Sequence, residues 1–257
     1  MLIVERQQRI LDLLREYKSA NLAMLSHELA VSSSTVRRDL DVLEKQGAIE
    51  RTHGGAIYRG EPSSSNPSDR PASKSLGARM REAVAQKRAI GRYAASLVTP
   101  NMTVLLDGGS TVVIAARQIM ARPIQVVTTS LSIAQLFKDD EQVELILVGG
   151  TMYLRNEVTV GPITTGTLAD LHADLLLCSL AGIYEEDCFN INLAMARAEQ
   201  VMMRQATRCV LLMDASKFGR KSLARVASLT EFDQVVTDST IEPLWRTRYG
   251  QRLLVVD

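Results

Sequence analysis

No apolar run in the 257 residues approaches membrane-spanning length, so no transmembrane helix is expected. The opening Met1-Leu2-Ile3-Val4-Glu5-Arg6 has no signal-peptide pattern, which makes a soluble, cytoplasmic chain the expectation. Cysteine is scarce: Cys178, Cys188 and Cys209 are odd in number and lack metal-type or redox-type spacing, which argues against a disulfide framework. Cys178 reads as a core residue, and the roles of the other two stay open. The histidines His27, His53 and His172 are scattered without an H-E-x-x-H pattern, so no metal site is expected. Neither G-x-G-x-x-G nor G-x-x-x-x-G-K-[ST] occurs, which argues against a dinucleotide or nucleoside-triphosphate site, and no cofactor is expected. Charge of one sign is also missing, the net charge being +1. With 46% hydrophobic residues the chain can bury a sizeable core, and its length predicts two domains.

What is present begins with helical periodicity. Ile10, Leu13, Leu14 and Tyr17 form one apolar stripe, Leu22, Leu25 and Leu29 a second, and Val36, Leu40 and Leu43 a third. Three short amphipathic helices can share one small core. Between the second and third lies Ala30-Val31-Ser32, with Ser32 where an N-cap belongs, so the third helix starts near Ser33. At about 100° per residue, Ser34, Arg38 and Lys45 fall opposite the third stripe, with Thr35 and Arg37 on its flanks. That spacing is a helix-turn-helix whose second helix can enter a major groove, short hydroxyls and two arginines reaching base edges or phosphates. Gly47 ends the helix. Residues Ala48 to Tyr58 then read as two short strands around a Gly54-Gly55 turn, a wing carrying Arg51 and His53 beside the recognition helix. The candidate DNA-contacting residues are Ser33, Ser34, Thr35, Arg37, Arg38, Lys45, Arg51 and His53, against the blander reading of a solvated helix face with ordinary arginines. Within residues 1–58 eight basic side chains are matched by eight acidic ones, so sequence-independent attraction to phosphate is modest. Affinity would then depend on pairing modules on repeated half-sites.

Residues 59–73 hold three prolines, many serines and almost nothing apolar, the composition of a flexible, semi-extended linker. From about Leu76 helical segments alternate with short apolar runs at Thr103–Leu106, Ile124–Val127, Val143–Val148, Asp174–Leu180, Cys209–Met213, Gln234–Val236 and Leu253–Val256. Continuous apolar runs of this length suit strands buried on both faces, so an α/β domain with a mainly parallel sheet is expected. The predicted division is a winged helix-turn-helix over 1–58, a linker over 59–75, and a sensing and assembly domain over 76–257.

Run after run ends in small or polar residues, and ligands bind open α/β sheets at the carboxyl ends of strands. Asp107, Gly108, Gly109, Ser110 and Thr111 follow the first run, Thr128 and Ser130 end the second, Gly150 the third, Gly182 the fourth, and Lys217 follows the fifth. Glycines allow close backbone approach, hydroxyls and amide N–H groups accommodate an anion, and Lys217 adds a positive charge. A phosphorylated small molecule fits that set. Each piece also has an ordinary use, since Gly-Gly pairs turn chains and aspartates cap helices; their convergence favours a site.

Two groups of motifs resemble a known family. Val31-Ser32-x-x-Thr35-Val36-Arg37-Arg38-Asp39-Leu40, Leu43-Glu44-x-x-Gly47 and Arg51-Thr52-His53-Gly54-Gly55-Ala56 are similar to the N-terminal domain of the DeoR family of bacterial sugar-metabolism repressors. Lys87-Arg88-Ala89-Ile90-Gly91, Leu106 to Thr111, Val126 to Ser130, Gly149-Gly150, Val160-Gly161-Pro162 and Asp214 to Gly219 resemble its sensor-domain motifs. The resemblance implies a repressor of a carbohydrate operon that binds double-stranded operator DNA under control of a phosphorylated sugar. It also implies a sensor domain similar to ribose-5-phosphate isomerase, and places Asp107, Gly108, Gly109, Ser110, Thr111 and Lys217 around the sugar phosphate. Departures from the family pattern cluster between Gly182 and Arg197. Tyr184 stands for an aspartate, Leu193 and Met195 occupy positions where acidic residues are expected, and Thr129 stands for asparagine. A site that loses carboxylates loses partners for sugar hydroxyls and a general acid/base pair. The expectation is therefore a non-enzymatic regulator assembling as a homodimer or homotetramer; the alternative is a sugar-phosphate isomerase-like enzyme with an accessory DNA-binding domain.

Overall fold

The computed structural model describes residues 3–17, 19–45, 49–52, 54–58 and 74–257. Gly47, Ala48, His53 and the 59–73 segment lie outside the described residues, as does the side chain of Lys45. The chain divides into two compact units, Met1–Ser73 and Lys74–Asp257.

In the first unit the order is α1 (Ile3–Tyr17), β1 (Ser19–Asn21), α2 (Leu22–Leu29), α3 (Ser33–Lys45), β2 (Ile49–Thr52) and β3 (Gly55–Tyr58). The three apolar stripes meet, with Ile10, Leu14, Leu25, Val36, Leu40 and Leu43 buried together, whereas Tyr17 at the end of the first stripe is exposed. Helix α2 starts on Asn21, whose Oδ1 accepts from Met24 N–H, and stops at Ala30, which is left-handed at φ 51°. The Val31 N–H then reaches back to the Ser26 carbonyl, which closes the turn. Ser32 caps α3 by accepting from Thr35 N–H at 3.2 Å.

Two features of the wing were not legible beforehand. A three-residue strand, β1, completes a sheet of order β1-β3-β2. Gly55 is a strand residue rather than half of a Gly-Gly turn, paired with both Thr52 and Asn21. Its glycine character follows from that pairing, because a Cβ would lie 2.1 Å from the Ala20 carbonyl oxygen.

The second unit runs α4 (Leu76–Arg79), α5 (Val84–Ser96), β4 (Thr103–Leu106), α6 (Ser110–Ala116), β5 (Ile124–Thr128), α7 (Leu131–Phe137) and β6 (Val143–Leu147). It continues through β7 (Thr151–Tyr153), β8 (Val158–Val160), α8 (Pro162–Ala169), β9 (Ala173–Cys178), β10 (Gly182–Tyr184), β11 (Asp187–Asn190) and α9 (Leu193–Arg204). It closes with β12 (Ala206–Leu212), β13 (Ala224–Ser228), β14 (Gln234–Asp238), α10 (Pro243–Tyr249) and β15 (Leu253–Val256).

All seven apolar runs are strands of one sheet, ordered β15-β14-β12-β9-β4-β5-β6 and parallel throughout. Alternate residues of each strand supply two cores. Val104, Leu106, Leu175 and Leu177 pack with α5, α6 and α7, whereas Leu105, Leu176, Cys178 and Leu211 pack with α8, α9 and α10. Cys188 and Cys209 are buried like Cys178, so all three thiols belong to the interior. The antiparallel pieces, hairpin β7-β8 and the small sheet β10-β11-β13, carried no apolar run and were not anticipated.

From β4 the chain steps outward through β5 to β6, then returns to lay β9 on the other side of β4. The β4/β9 junction is therefore where strand order reverses, the place where open α/β sheets bind ligands at the carboxyl ends of their strands. Gly55→Ala is expected to cost about 1–3 kcal/mol in the first unit by forcing β1 away from β3; urea unfolding of the variant measures it.

Candidate functional site

Two surfaces carry chemistry, one in each unit. On α3, Ser33, Ser34, Arg37 and Arg38 are exposed and Thr35 is partly so, opposite the buried Val36, Leu40 and Leu43. The hydroxyls at its N-terminus form a local network: Ser32 Oγ lies 2.8 Å from Ser34 Oγ and 2.9 Å from Thr35 Oγ1, and Ser26 Oγ 3.1 Å from Ser33 Oγ.

Acidic residues of the helix are committed elsewhere. Asp39 is buried and accepts from Arg6 Nε at 2.6 Å, Arg6 Nη2 at 3.2 Å and Gln7 Nε2 at 3.3 Å, stapling α3 to α1. Asp41 pairs with Arg51, whose backbone N–H donates to Glu44 Oε1 at 3.3 Å. Arg51 therefore ties β2 to α3. Among the described residues no ion pair engages Arg37 or Arg38, so the helix presents unneutralised positive charge although the module's formal count balances.

In the second unit the polar residues converge at the β4/β9 junction. Asp107, just past β4, is buried and accepts from Ser179 N–H at 3.2 Å, and its own N–H donates to Leu177 carbonyl at 3.0 Å. Gly108 is pressed against β8, where a Cβ would meet Val158 Cγ1 at 2.0 Å. Ser110 and Thr111 open α6 and are buried, with Thr111 Oγ1 lacking a hydrogen-bond partner among the described residues. Thr128 Oγ1 donates to the Leu106 carbonyl and accepts from Ser130 N–H, while Ser130 caps α7. Lys217 crosses from the segment after β12 to the tip of β9, where its Nζ donates to Ser179 Oγ at 2.9 Å and Leu180 carbonyl at 2.8 Å. The next residue, Phe218, packs beside Trp245 and Tyr249, which anchors that segment.

Next to Asp107 lies a narrow cavity of about 10 Å³, walled by Thr129, Val158, Val160, Met195, Met202 and Glu199 among others. Of the expected effector-binding residues Asp107 alone lines it; Gly108 to Thr111, Thr128, Ser130 and Lys217 lie outside the lining, as do Gly150, which turns beside Thr164 after β6, and Gly182, which packs on the Arg220 backbone. The departures from the family pattern divide likewise. Thr129 and Met195 line the cavity, whereas Tyr184 and Leu193 are exposed, at 40% and 59%.

Two further groups complete the site, Glu199 without a sequence signal and Lys87 from the motif Lys87 to Gly91. Glu199 of α9 faces the cavity, receives a hydrogen bond from Asn190 Nδ2, and keeps Oε2 buried with no hydrogen-bond partner among the described residues. A carboxylate thus enters the pocket from α9 although the β10-β11 segment supplies none. Lys87 is buried and donates from Nζ to the carbonyls of Arg79 at 2.6 Å and Glu82 at 2.7 Å.

Burial shifts these groups toward neutrality. It raises Asp107, opposed by the N–H groups of Gly108 and Ser179 and the charges of Lys217 and Arg79. Glu199 rises well above the ordinary carboxylate range through burial, then through Asp107's charge. Lys217 is lowered to about 8 by burial, with Asp214 opposing and Arg79 and Lys87 reinforcing.

An exposed arginine-bearing helix on a winged module, joined in one chain to an α/β domain with polar strand tips at its switch point, is the architecture of a transcription regulator with a sensor domain. Residues 6–61 match the DeoR-like helix-turn-helix domain and residues 82–239 the DeoR C terminal sensor domain. The chain belongs to the DeoR family of transcription regulators. It is similar to the HTH-type transcriptional repressor GlcR of Bacillus subtilis, 32% identical over 91% of this chain and 88% of that one. Similarity extends to the L-fucose operon activator of Escherichia coli, 34% identical over 91% and 94%, and to the regulator GlpR of Haloferax volcanii, 33% over 94% and 92%. Among solved structures, ribose 5-phosphate isomerase A of Methanocaldococcus jannaschii overlaps 51% of this chain and 53% of its own at 19% identity and TM-score 0.37. The eIF2B delta subunit of Chaetomium thermophilum overlaps 60% and 56% at 11% identity and TM-score 0.45.

Because the fold lowers Lys217 from 10.5 to about 8, the unfolded chain binds more of this proton between those values. Its contribution to stability therefore rises with pH across that window and is flat below it. Lys217→Met is expected to flatten the pH 8 to 10.5 part of the stability profile, as read by urea unfolding at a series of pH values.

Proposed function

We propose that the chain represses a carbohydrate catabolism operon in the cytoplasm, releasing or engaging operator DNA as a phosphorylated sugar binds at the β4/β9 tips. The observation that carries this reading is the coexistence in one regulator-family chain of an Arg37/Arg38 face that no ion pair engages among the described residues and a cluster of polar groups at the β4/β9 tips, Asp107, Ser110, Thr111 and Lys217 among them. Residues 1–58 read DNA, 59–75 connect, and 76–257 sense and assemble the modules as a homodimer or homotetramer, so that paired recognition helices meet repeated half-sites. Ser33, Ser34, Thr35, Arg37 and Arg38 contact DNA, and Arg51 supports the wing from its place against α3. Asp107 and Glu199 hold sugar hydroxyls, while Gly108, Gly109, Ser110, Thr111 and Lys217 hold the anionic end. Effector binding shifts the assembly between DNA-competent and incompetent arrangements. Repression rather than activation draws on the relative named a repressor, GlcR.

The buried Asp107/Glu199 pair favours one other reading, sugar-phosphate isomerisation, which needs a positioned carboxyl base. Regulator membership weighs against it, and non-enzymatic sensing is the function proposed. Titration of labelled DNA from upstream of the chain's own gene and its neighbours, repeated against a panel of sugar phosphates, tests both. Specific binding altered by one compound supports the regulator; absence of specific binding with turnover of a sugar phosphate supports the enzyme.

Arg38→Ala is expected to weaken specific operator binding about 10- to 100-fold, the scale of one lost bidentate base contact. Unchanged affinity removes Arg38 from the reading face. Ser110→Ala combined with Lys217→Ala is expected to leave DNA binding intact and abolish the effector response, measured in the same titration; a normal response relocates the pocket.

A further inference from the structure

Lys217, Lys87 and Arg79 lie within electrostatic reach of one another, and two of the three are already engaged. Lys217 Nζ is held by Ser179 and Leu180, and Lys87 Nζ by two backbone carbonyls. Arg79 differs: its Nε and Nη2 are both buried and neither has a hydrogen-bond partner among the described residues. Those two atoms form one edge of the guanidinium fork, the edge that takes an oxyanion through two parallel N–H bonds, as the Arg6 edge takes Asp39. Burying such an edge unpaired is costly, and a dedicated acceptor offsets the cost. Arg79 lies within electrostatic reach of Asp107 and Lys217, and among the described residues no carboxylate is hydrogen-bonded to it.

The position of Arg79 adds a second consequence. It is the last residue of α4, the first helix after residues 59–73. Lys87 clamps its carbonyl, Ser75 caps the helix, Leu76 N–H bonds the Arg155 carbonyl at 2.9 Å, and the Leu76 side chain is buried. The backbone around Arg79 is thus held in place while its donor edge stays uncommitted.

We propose that Arg79 binds one oxyanion group of the effector, a phosphate monoester, on its paired Nε/Nη2 edge, and that this contact fastens α4 to the strand tips when effector is bound. The proposal rests on reading those tips as the effector site. It makes Arg79 a binding residue beside Lys217, with occupancy sensed at the point where the connecting segment enters the second unit.

The test uses the full-length protein, its Arg79→Met and Arg79→Lys variants, inorganic phosphate, a panel of sugar phosphates, and chloride at matched ionic strength. Thermal shift and calorimetry read binding, and hydrogen exchange reads the amides of residues 74–80. The wild type is expected to bind at least one phosphate compound and gain protection at those amides. Arg79→Met is expected to bind it about 10- to 100-fold more weakly and to gain no protection. Arg79→Lys, which keeps the charge and removes the paired edge, is expected to show a similar loss and decides the matter if the methionine variant does not fold. Wild-type affinity in both variants, or in Arg79→Lys alone where the other does not fold, overturns the proposal while leaving the site reading in place. Binding without any change in protection at residues 74–80 overturns the fastening of α4. Failure of the wild type to respond to every phosphate compound overturns the site reading itself, and the proposal with it.

Discussion

The hydrogen bond from the Ser179 N–H to the Asp107 carboxylate joins the tips of β4 and β9 where strand order reverses, and the second unit's chemistry is arranged around it. Because the strands diverge in connectivity at that point, no crossover helix covers their ends, and the polar termini of both runs meet there. Gly108 brings β8 against the same tip, Lys217 spans from the end of β12 to Ser179 and Leu180, and Glu199 closes the cavity from α9. Each contribution is a short polar interruption on an apolar scaffold. The scaffold is rigid because alternate strand residues are buried in two separate cores.

The same separation of scaffold and polar commitment governs the first unit. Counting charges over residues 1–58 predicts an electrically neutral module, yet the fold sorts those charges. Asp39 is drawn inward to Arg6, and Asp41 is taken by Arg51, leaving Arg37 and Arg38 on the outward side of α3. Net charge sets long-range attraction to a polyanion, whereas recognition depends on the charges that remain exposed. A module of this kind is suited to low non-specific affinity and to discrimination through a few side chains.

The departures from the family pattern illustrate how position decides chemical weight. Tyr184 and Leu193 project to solvent, Tyr184 with Lys221 Nζ 5.7 Å from its ring centroid, so they alter the outer surface. Met195 and Thr129 line the cavity and make its wall less acidic. Buried Glu199 restores one carboxyl from α9, beyond the segment Gly182 to Arg197 in which the departures cluster. Its neutral tendency, imposed by burial and by Asp107, makes it a hydrogen-bond donor as well as an acceptor toward a polyol.

From sequence alone the three helices, the Ser32 cap, the wing strands and all seven parallel strands were legible, as was the tip segment Asp107 to Thr111. These depend on local periodicity, and burying a stripe or a run of apolar side chains leaves the same pattern in any context. The small antiparallel strands escaped because so few residues carry no period. Tertiary structure alone decided which polar residues share a site. Arg79, Asn190 and Glu199 look like ordinary helix or loop residues until folding draws them inward, and Arg51 looks like a free wing cation until it meets Asp41. The physical reason is that a charge's role is set by its desolvation and its partners, and both are long-range properties that no local spacing encodes.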